Sequence, residues 1–186
     1  SAAPKTLFNV DDDSPKLNKK RSEIYHRLVA KILWATKRAR PDTATAISYL
    51  MTRVQDSNED DWHKLTHLVK YIQATKDLDL TLGCSEDNVL RWWIDGSHGV
   101  PSHPNMRGHT GGGLCMGIGY PISQLGKQKL NTRSSTESEI VAVDDMMPTV
   151  LWARQFLEEQ AHTVKDNLVY QDNQAAILLE KIGRAS

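Results

Sequence analysis

The pattern of the apolar residues changes near Cys84. Before that point Tyr25, Leu28, Val29, Ile32 and Leu33 recur at i, i+3, i+4, i+7 and i+8, one face of a helix. Proline disfavours helical geometry in the residue before it, so this helix ends by Pro41. Ile47, Leu50, Met51 and Val54 repeat the pattern in a second helix, and Leu65, Leu68, Val69 and Ile72 in a third. Ser57 with Asp60 three residues later reads as the third helix's capping box, with Glu59, Asp60 and Asp61 at its positive end. Leu78, Leu80 and Leu82 alternate with polar residues and predict a strand. From Cys84 onward strands dominate. Residues 89–94 read as a strand running into Asp95-Gly96-Ser97, followed by a Gly/Pro/His loop over 98–110. Leu114, Met116 and Ile118 mark a second strand and residues 122–125 a third. Ser134 starts a long helix that Pro148 is expected to kink or split. Residues 168–171 form a strand ending at Asp172, and a last helix begins over 173–179. The expected order is three helices, then β-β-β-α-β-α: an α/β protein.

At 186 residues the chain fits one domain or two small ones and needs no disulfide scaffold. Its two cysteines, Cys84 and Cys115, suit a reducing compartment. No apolar run of ~18 residues predicts a membrane span. Ser1-Ala2-Ala3-Pro4-Lys5 has no apolar core and no Met, so the start reads as that of a processed product or fragment. Residues 1–21 are polar and read as a solvated arm or linker. The charges balance at 23 basic and 23 acidic, and neither half of the chain has the basic excess that marks many nucleic-acid binders.

Three acids stand where acids are costly unless used. Asp95 and Asp172 end strands, and Glu139 lies in the first turns of the helix between them. Carboxylates gathered at one point repel, and hard oxygen donors favour Mg²⁺ or Mn²⁺ as the neutralising ion. Two such ions ~4 Å apart would suit phosphodiester hydrolysis. Each acid alone also reads as a turn or cap residue, since Asp-Gly is a common turn and Asp172-Asn173 can cap a helix.

Four stretches resemble copia-type LTR-retrotransposon polyproteins, in the C-terminal reverse transcriptase connection and ribonuclease H region. They are Tyr25-His26-Arg27-Leu28-Val29-Ala30-Lys31-Ile32-Leu33-Trp34 with Ala39-Arg40-Pro41-Asp42; Trp62-His63-Lys64 with Leu68-Val69-Lys70-Tyr71-Ile72-Gln73-Ala74-Thr75-Lys76; Ser134-Ser135-Thr136-Glu137-Ser138-Glu139; and Tyr170-Gln171-Asp172-Asn173-Gln174-Ala175-Ala176. Together they cover residues 25–180 in order. The resemblance implies a ribonuclease H-like mixed sheet with flanking helices over 84–186, preceded by a helical, connection-like segment over 22–83. It implies that Asp95, Glu139 and Asp172 hold two Mg²⁺, with Mn²⁺ as substitute, and that RNA in an RNA–DNA hybrid is cut. It further implies the polymerase part of the same polyprotein as partner, no membrane, and a cytoplasmic virus-like particle or the nucleus as location. Ribonucleases H generally use a fourth carboxylate near their C-terminus, and this sequence stops at Ser186 before that region. His98-Gly99-Val100-Pro101 also departs from the aspartate and tryptophan of many relatives.

Glu137, three residues after Ser134, sits at the capping-box position and about 200° round the helix from Glu139. It is therefore read as a cap, and Asp144 and Asp145 as solvated. Lys127, Lys129 and Arg133 form the phosphate-contact candidate, with Ser97 and Asn173 as further candidates for nucleic-acid contact. Other features read as structural. His63 and His67 lack a third ligand; His98, His103 and His109 share a polar loop near Asp95, with substrate handling as the alternative; Thr110-Gly111-Gly112-Gly113 starts a hairpin with close backbone approach; Trp92 and Trp93 point to opposite faces of their strand and both read first as core residues. The rival reading is a retroelement-derived binding or scaffold protein without catalysis, a subunit of a larger assembly.

Overall fold

Apolar periodicity and cap chemistry set the helices of the first of two units, Ser1–Leu80 and Thr81–Ser186, in a computed structural model that describes residues 1–11, 13–98 and 107–182. In the first unit α1 (Lys19–Thr36) starts at Asn18, whose side chain accepts the Arg21 N–H at 3.0 Å. A 3₁₀ turn (Pro41–Thr43), α2 (Ala44–Thr52) and α3 (Glu59–Ala74) follow. Tyr25, Val29 and Ile32 of α1 pack with Ile47 and Leu50 of α2 and Leu65 and Leu68 of α3. The buried Tyr25 hydroxyl donates to the Leu50 carbonyl at 3.0 Å. Arg40, buried beside Pro41, donates to both Asp42 oxygens (2.9 and 2.8 Å) and to the Thr75 carbonyl (3.0 Å), tying the 3₁₀ turn to the end of α3.

Two expectations shift here. The capping box of α3 is Asn58 with Asp61, not Ser57 with Asp60: Asn58 Oδ1 accepts the Asp61 N–H at 2.9 Å and Asp61 Oδ2 accepts the Asn58 N–H at 3.0 Å. Both pairs have the spacing, but Asp61 is also held by Arg53 at 3.1 Å. The start of the chain is no free arm. Leu7 is 1% exposed in the helical core, Lys64 donates to the Asn9 carbonyl, and Lys16 bridges to Asn58.

The second unit holds β1 (Gly83–Cys84), β2 (Val89–Ser97), β3 (His109–Cys115), β4 (Gly117–Ile118), β5 (Ile122–Lys127), α4 (Ser135–Glu159), β6 (Asp166–Tyr170) and α5 (Gln174–Ile182). Its main sheet runs β5-β3-β2-β6. The β2–β3 and β3–β5 pairs are antiparallel and β2–β6 is parallel, so the sheet is mixed, as expected. β1 and β4 form a separate antiparallel pair. Leu90, Trp92, Ile94 and Leu114 face Ala142, Val143, Met146, Val150 and Ala153 of α4. Trp92 also donates from Nε1 to Asn167 Oδ1 at 2.9 Å.

Three sequence signals gave way to tertiary context. Leu78 and Leu82 are exposed and residues 78–82 form no strand, for alternation needs a partner strand as well as a pattern. β3 begins at His109 and includes the three glycines placed before it. α4 runs unbroken through Pro148; buried Met146, Val150 and Ala153 hold both sides of it to the sheet. Among the described residues no helix is long and apolar enough to cross a membrane.

Candidate metal centre

Along β2, Leu90, Trp92, Ile94 and Gly96 are buried while Asp95 and Ser97 are exposed, which is the pleat alternation of a strand covered on one face. Asp95 thus lies within the strand rather than at its end. Gly96 lets α4 come close: a Cβ there would lie 2.4 Å from the Ser138 carbonyl oxygen and 2.9 Å from the Glu139 nitrogen. The Gly96 N–H donates to Glu139 Oε2 at 2.8 Å. β6 runs parallel to β2 with Tyr170 opposite Trp93, and Asp172 follows two residues past the strand. The result is one carboxylate oxygen each from Asp95, Glu139 and Asp172, all within 4.8 Å of one another.

Glu139 is only 7% exposed, the other two acids are open to solvent. Burial, reinforced by the charges of Asp95 and Asp172, pushes the Glu139 carboxyl above the usual range, against the pull of the Gly96 N–H. Among the described residues no lysine or arginine pairs with any of the three. A set of mutually close, uncompensated hard oxygen donors fits a divalent cation such as Mg²⁺ or Mn²⁺. An open cleft of about 490 Å³ borders Asp95 and Asp172, lined also by Trp93, Tyr120 and Tyr170. Trp93 is not a core residue but 41% exposed, stacked on Tyr170 at 5.0 Å and edge-on to Tyr120 at 5.9 Å. Alternation places one tryptophan of the pair on each face, and only one face is covered by α4.

The first turn of α4 separates its two glutamates. Ser134 Oγ accepts the Glu137 N–H at 3.1 Å, and Glu137 Oε2 accepts the Arg133 N–H at 2.6 Å, so Glu137 caps while Glu139 points inward. One buried residue beside the site, Gln128, carried no sequence signal. Gln128, fully buried, donates to the Ser138 carbonyl at 2.9 Å and to Thr110 Oγ1 at 3.3 Å; Thr110 in turn donates to Asp145 at 2.8 Å. Asp145 is therefore bonded rather than solvated, whereas Asp144 is exposed. A lone glutamine in a polar turn fits no motif, and only the fold brings it to α4.

Lys127, Lys129 and Arg133 are exposed just before α4. The other nucleic-acid candidates have structural bonds. Ser97 Oγ accepts the His109 N–H at 3.1 Å, and Asn173 Oδ1 accepts the Ala176 N–H at 3.1 Å, capping α5. His98 Nδ1 lies 3.2 Å from Thr132 Oγ1 and 3.4 Å from Ser138 Oγ; His103 falls outside the described residues. Burial and the charge of Lys127 push the His109 ring below its ordinary value. His63 and His67 are exposed on α3, with the His67 ring 3.0 Å from the Ser1 carbonyl, and neither belongs to a metal-competent group of described residues. Of the glycine run, Gly112 lies beneath Met146 and Gly113 beneath Tyr120, where a Cβ would come within 2.8 and 2.7 Å respectively.

Over 158 residues the chain is 28% identical to the "Retrovirus-related Pol polyprotein from transposon TNT 1-94" of Nicotiana tabacum. The match covers 84% of this chain and 12% of that polyprotein, so the chain corresponds to a small part of its relative's length. It is thus similar to a segment of a retrovirus-related Pol polyprotein. No family model matches it, and no solved structure does.

Proposed function

We propose that this chain is a retrotransposon-derived Pol segment whose residues 84–186 form a ribonuclease H-like domain, cutting the RNA strand of RNA–DNA hybrids with Mg²⁺. The carrying observation is the gathering of Asp95, Glu139 and Asp172 within 4.8 Å from a strand, a helix start and the end of the adjacent parallel strand. Similarity to a Pol polyprotein supports the retroelement origin. Residues 22–83 are the connection-like segment in this reading, and the polymerase part of the same polyprotein is the partner.

Asp95 and Asp172 offer exposed carboxylates to the substrate side, and Glu139 offers a buried one held in place by the Gly96 N–H. Bound Mg²⁺ supplies activation of the attacking water and charge neutralisation at the cleaved phosphodiester. The chain's own part is to fix three anions in one place, with α4 closing off solvent behind Glu139. Lys127, Lys129 and Arg133 contact phosphates, and preference for hybrid comes from 2′-hydroxyls in the shallow minor groove.

The test is cleavage of labelled hybrid in Mg²⁺ and in Mn²⁺, with this chain and with one extended past Ser186. The expected result is RNA cut in hybrid and not in duplex DNA, with nearly all activity lost in Asp95→Asn and Asp172→Asn. If neither chain cuts, or both variants cut like the parent, the ribonuclease reading fails and the non-catalytic scaffold takes its place.

A further inference from the structure

A strand sends alternate residues to the two faces of its sheet, and β6 does so. Tyr170 stacks on Trp93 on the open face, while Asn167 faces α4, accepting the Trp92 Nε1–H at 2.9 Å and donating to the Val150 carbonyl at 3.4 Å. Gln171, one residue past the strand and four after Asn167, continues the α4 face, and Glu139 is carried by α4. The side-chain amide of Gln171 has an acceptor end and a donor end. Oε1 accepts the Asp172 N–H at 2.9 Å, which fixes the other end as the donor. That Nε2 is buried and has no hydrogen bond of good geometry among the described residues. It is nonetheless felt at Glu139, whose carboxyl it draws down against the upward push of burial.

We infer that Gln171 is a positioning residue of the metal centre, its amide spanning two of the three ligands: the oxygen fixes the chain at Asp172 and the nitrogen offers Glu139 a donor. The inference rests on the reading of Asp95, Glu139 and Asp172 as one divalent-cation site, and adds a residue that touches no ion itself. Three carboxylate oxygens within 4.8 Å of one another repel, and Glu139, the buried one, gains least from water. Only its anion is a ligand for a hard cation. The Gly96 N–H gives that anion one donor, at Oε2. Gln171 Nε2 gives a second from the side of Asp172, where it costs least to leave no buried donor idle. A lysine in this place would bring a full positive charge that repels the ion, whereas an amide favours the anion without competing for it. Outer partners of this kind keep a ligating carboxylate oriented.

Titration calorimetry of the whole chain with Mn²⁺ tests this. The parent is compared with Gln171→Met, which keeps an unbranched side chain without a donor, and with Gln124→Met, the same change at an exposed position of β5. Gln171→Met should bind Mn²⁺ about 10-fold or more weakly with the number of sites unchanged, and Gln124→Met should bind as the parent does. A merely structural role would lower the fraction of folded protein, and so the number of sites, but not the affinity of those that remain. Should Gln171→Met not fold, as a circular dichroism melt would show, Gln171→Asn carries the same test: it withdraws the amide by one methylene, and its affinity should fall in the same sense. A folded variant that binds within about 2-fold of the parent, a loss confined to the number of sites, or equal weakening in Gln124→Met would overturn the inference and leave the metal centre standing. No Mn²⁺ binding by the parent would overturn both.

Discussion

Gly96→Ala is the sharpest probe of how the site is built. The new methyl would lie 2.4 Å from the Ser138 oxygen, 2.7 Å from its carbonyl carbon and 2.9 Å from the Glu139 nitrogen. All three are backbone atoms, so no side chain can swing away. Restoring ordinary contact means moving α4 off β2 by about 1 Å, and overpacking of this kind costs about 1–3 kcal/mol. At about 4–8 °C per kcal/mol for a unit of ~100 residues, the melt should fall by about 10 °C. The same movement breaks the 2.8 Å bond from the Gly96 N–H to Glu139 and withdraws one ligand, so Mn²⁺ should stabilise the variant far less than the parent. Gly111→Ala is the internal control. Its Cβ would meet Leu125 Cδ1 at 3.5 Å, an ordinary contact, so it should be neutral or slightly stabilising. Calorimetric melts with and without Mn²⁺ give both readouts. A Gly96→Ala protein that melts within 1 °C of the parent and keeps its Mn²⁺ shift would refute the close-approach argument.

Further outcomes follow from charge. The metal-free Glu139 carboxyl titrates above its unfolded value, so the folded state holds the extra proton, and that stability is full at low pH and lost as pH rises through the folded pKa. Metal-free melts should therefore drop from about pH 4.3 upward through that transition, and Glu139→Gln should remove this part of the dependence. Asp95→Asn and Asp172→Asn should slightly raise the metal-free melting temperature by relieving repulsion, as differential scanning calorimetry would show. Glu137→Gln should keep most hybrid cleavage, since its amide oxygen still accepts the Arg133 N–H; activity as low as in Asp95→Asn would mean Glu137 is a ligand after all.

Much of this was legible because local chemistry and global fold agree. The α1 face of Tyr25, Val29 and Ile32, the Ser134–Glu137 cap and the strand of β2 are all short-range signals, whereas the exposure of Trp93 was missed because alternation does not say which face stays uncovered. What was hidden depends on residues far apart in sequence. Leu78 and Leu82 alternate without a partner strand; Leu7 is buried by helices whose packing its neighbours do not reveal; Gln128 acts only because β5 ends beside the start of α4. The three acids could be picked out as candidates, but their 4.8 Å grouping required the parallel β2–β6 pairing and the missing Cβ of Gly96.

The central claim is that Asp95, Glu139 and Asp172 act as one divalent-cation site, and Mn²⁺ titration calorimetry of the whole chain measures this most directly. The account predicts saturable binding by the parent, lost in both Asp95→Asn and Asp172→Asn and kept in Glu137→Gln. Equal heats from the parent and both aspartate variants would contradict it.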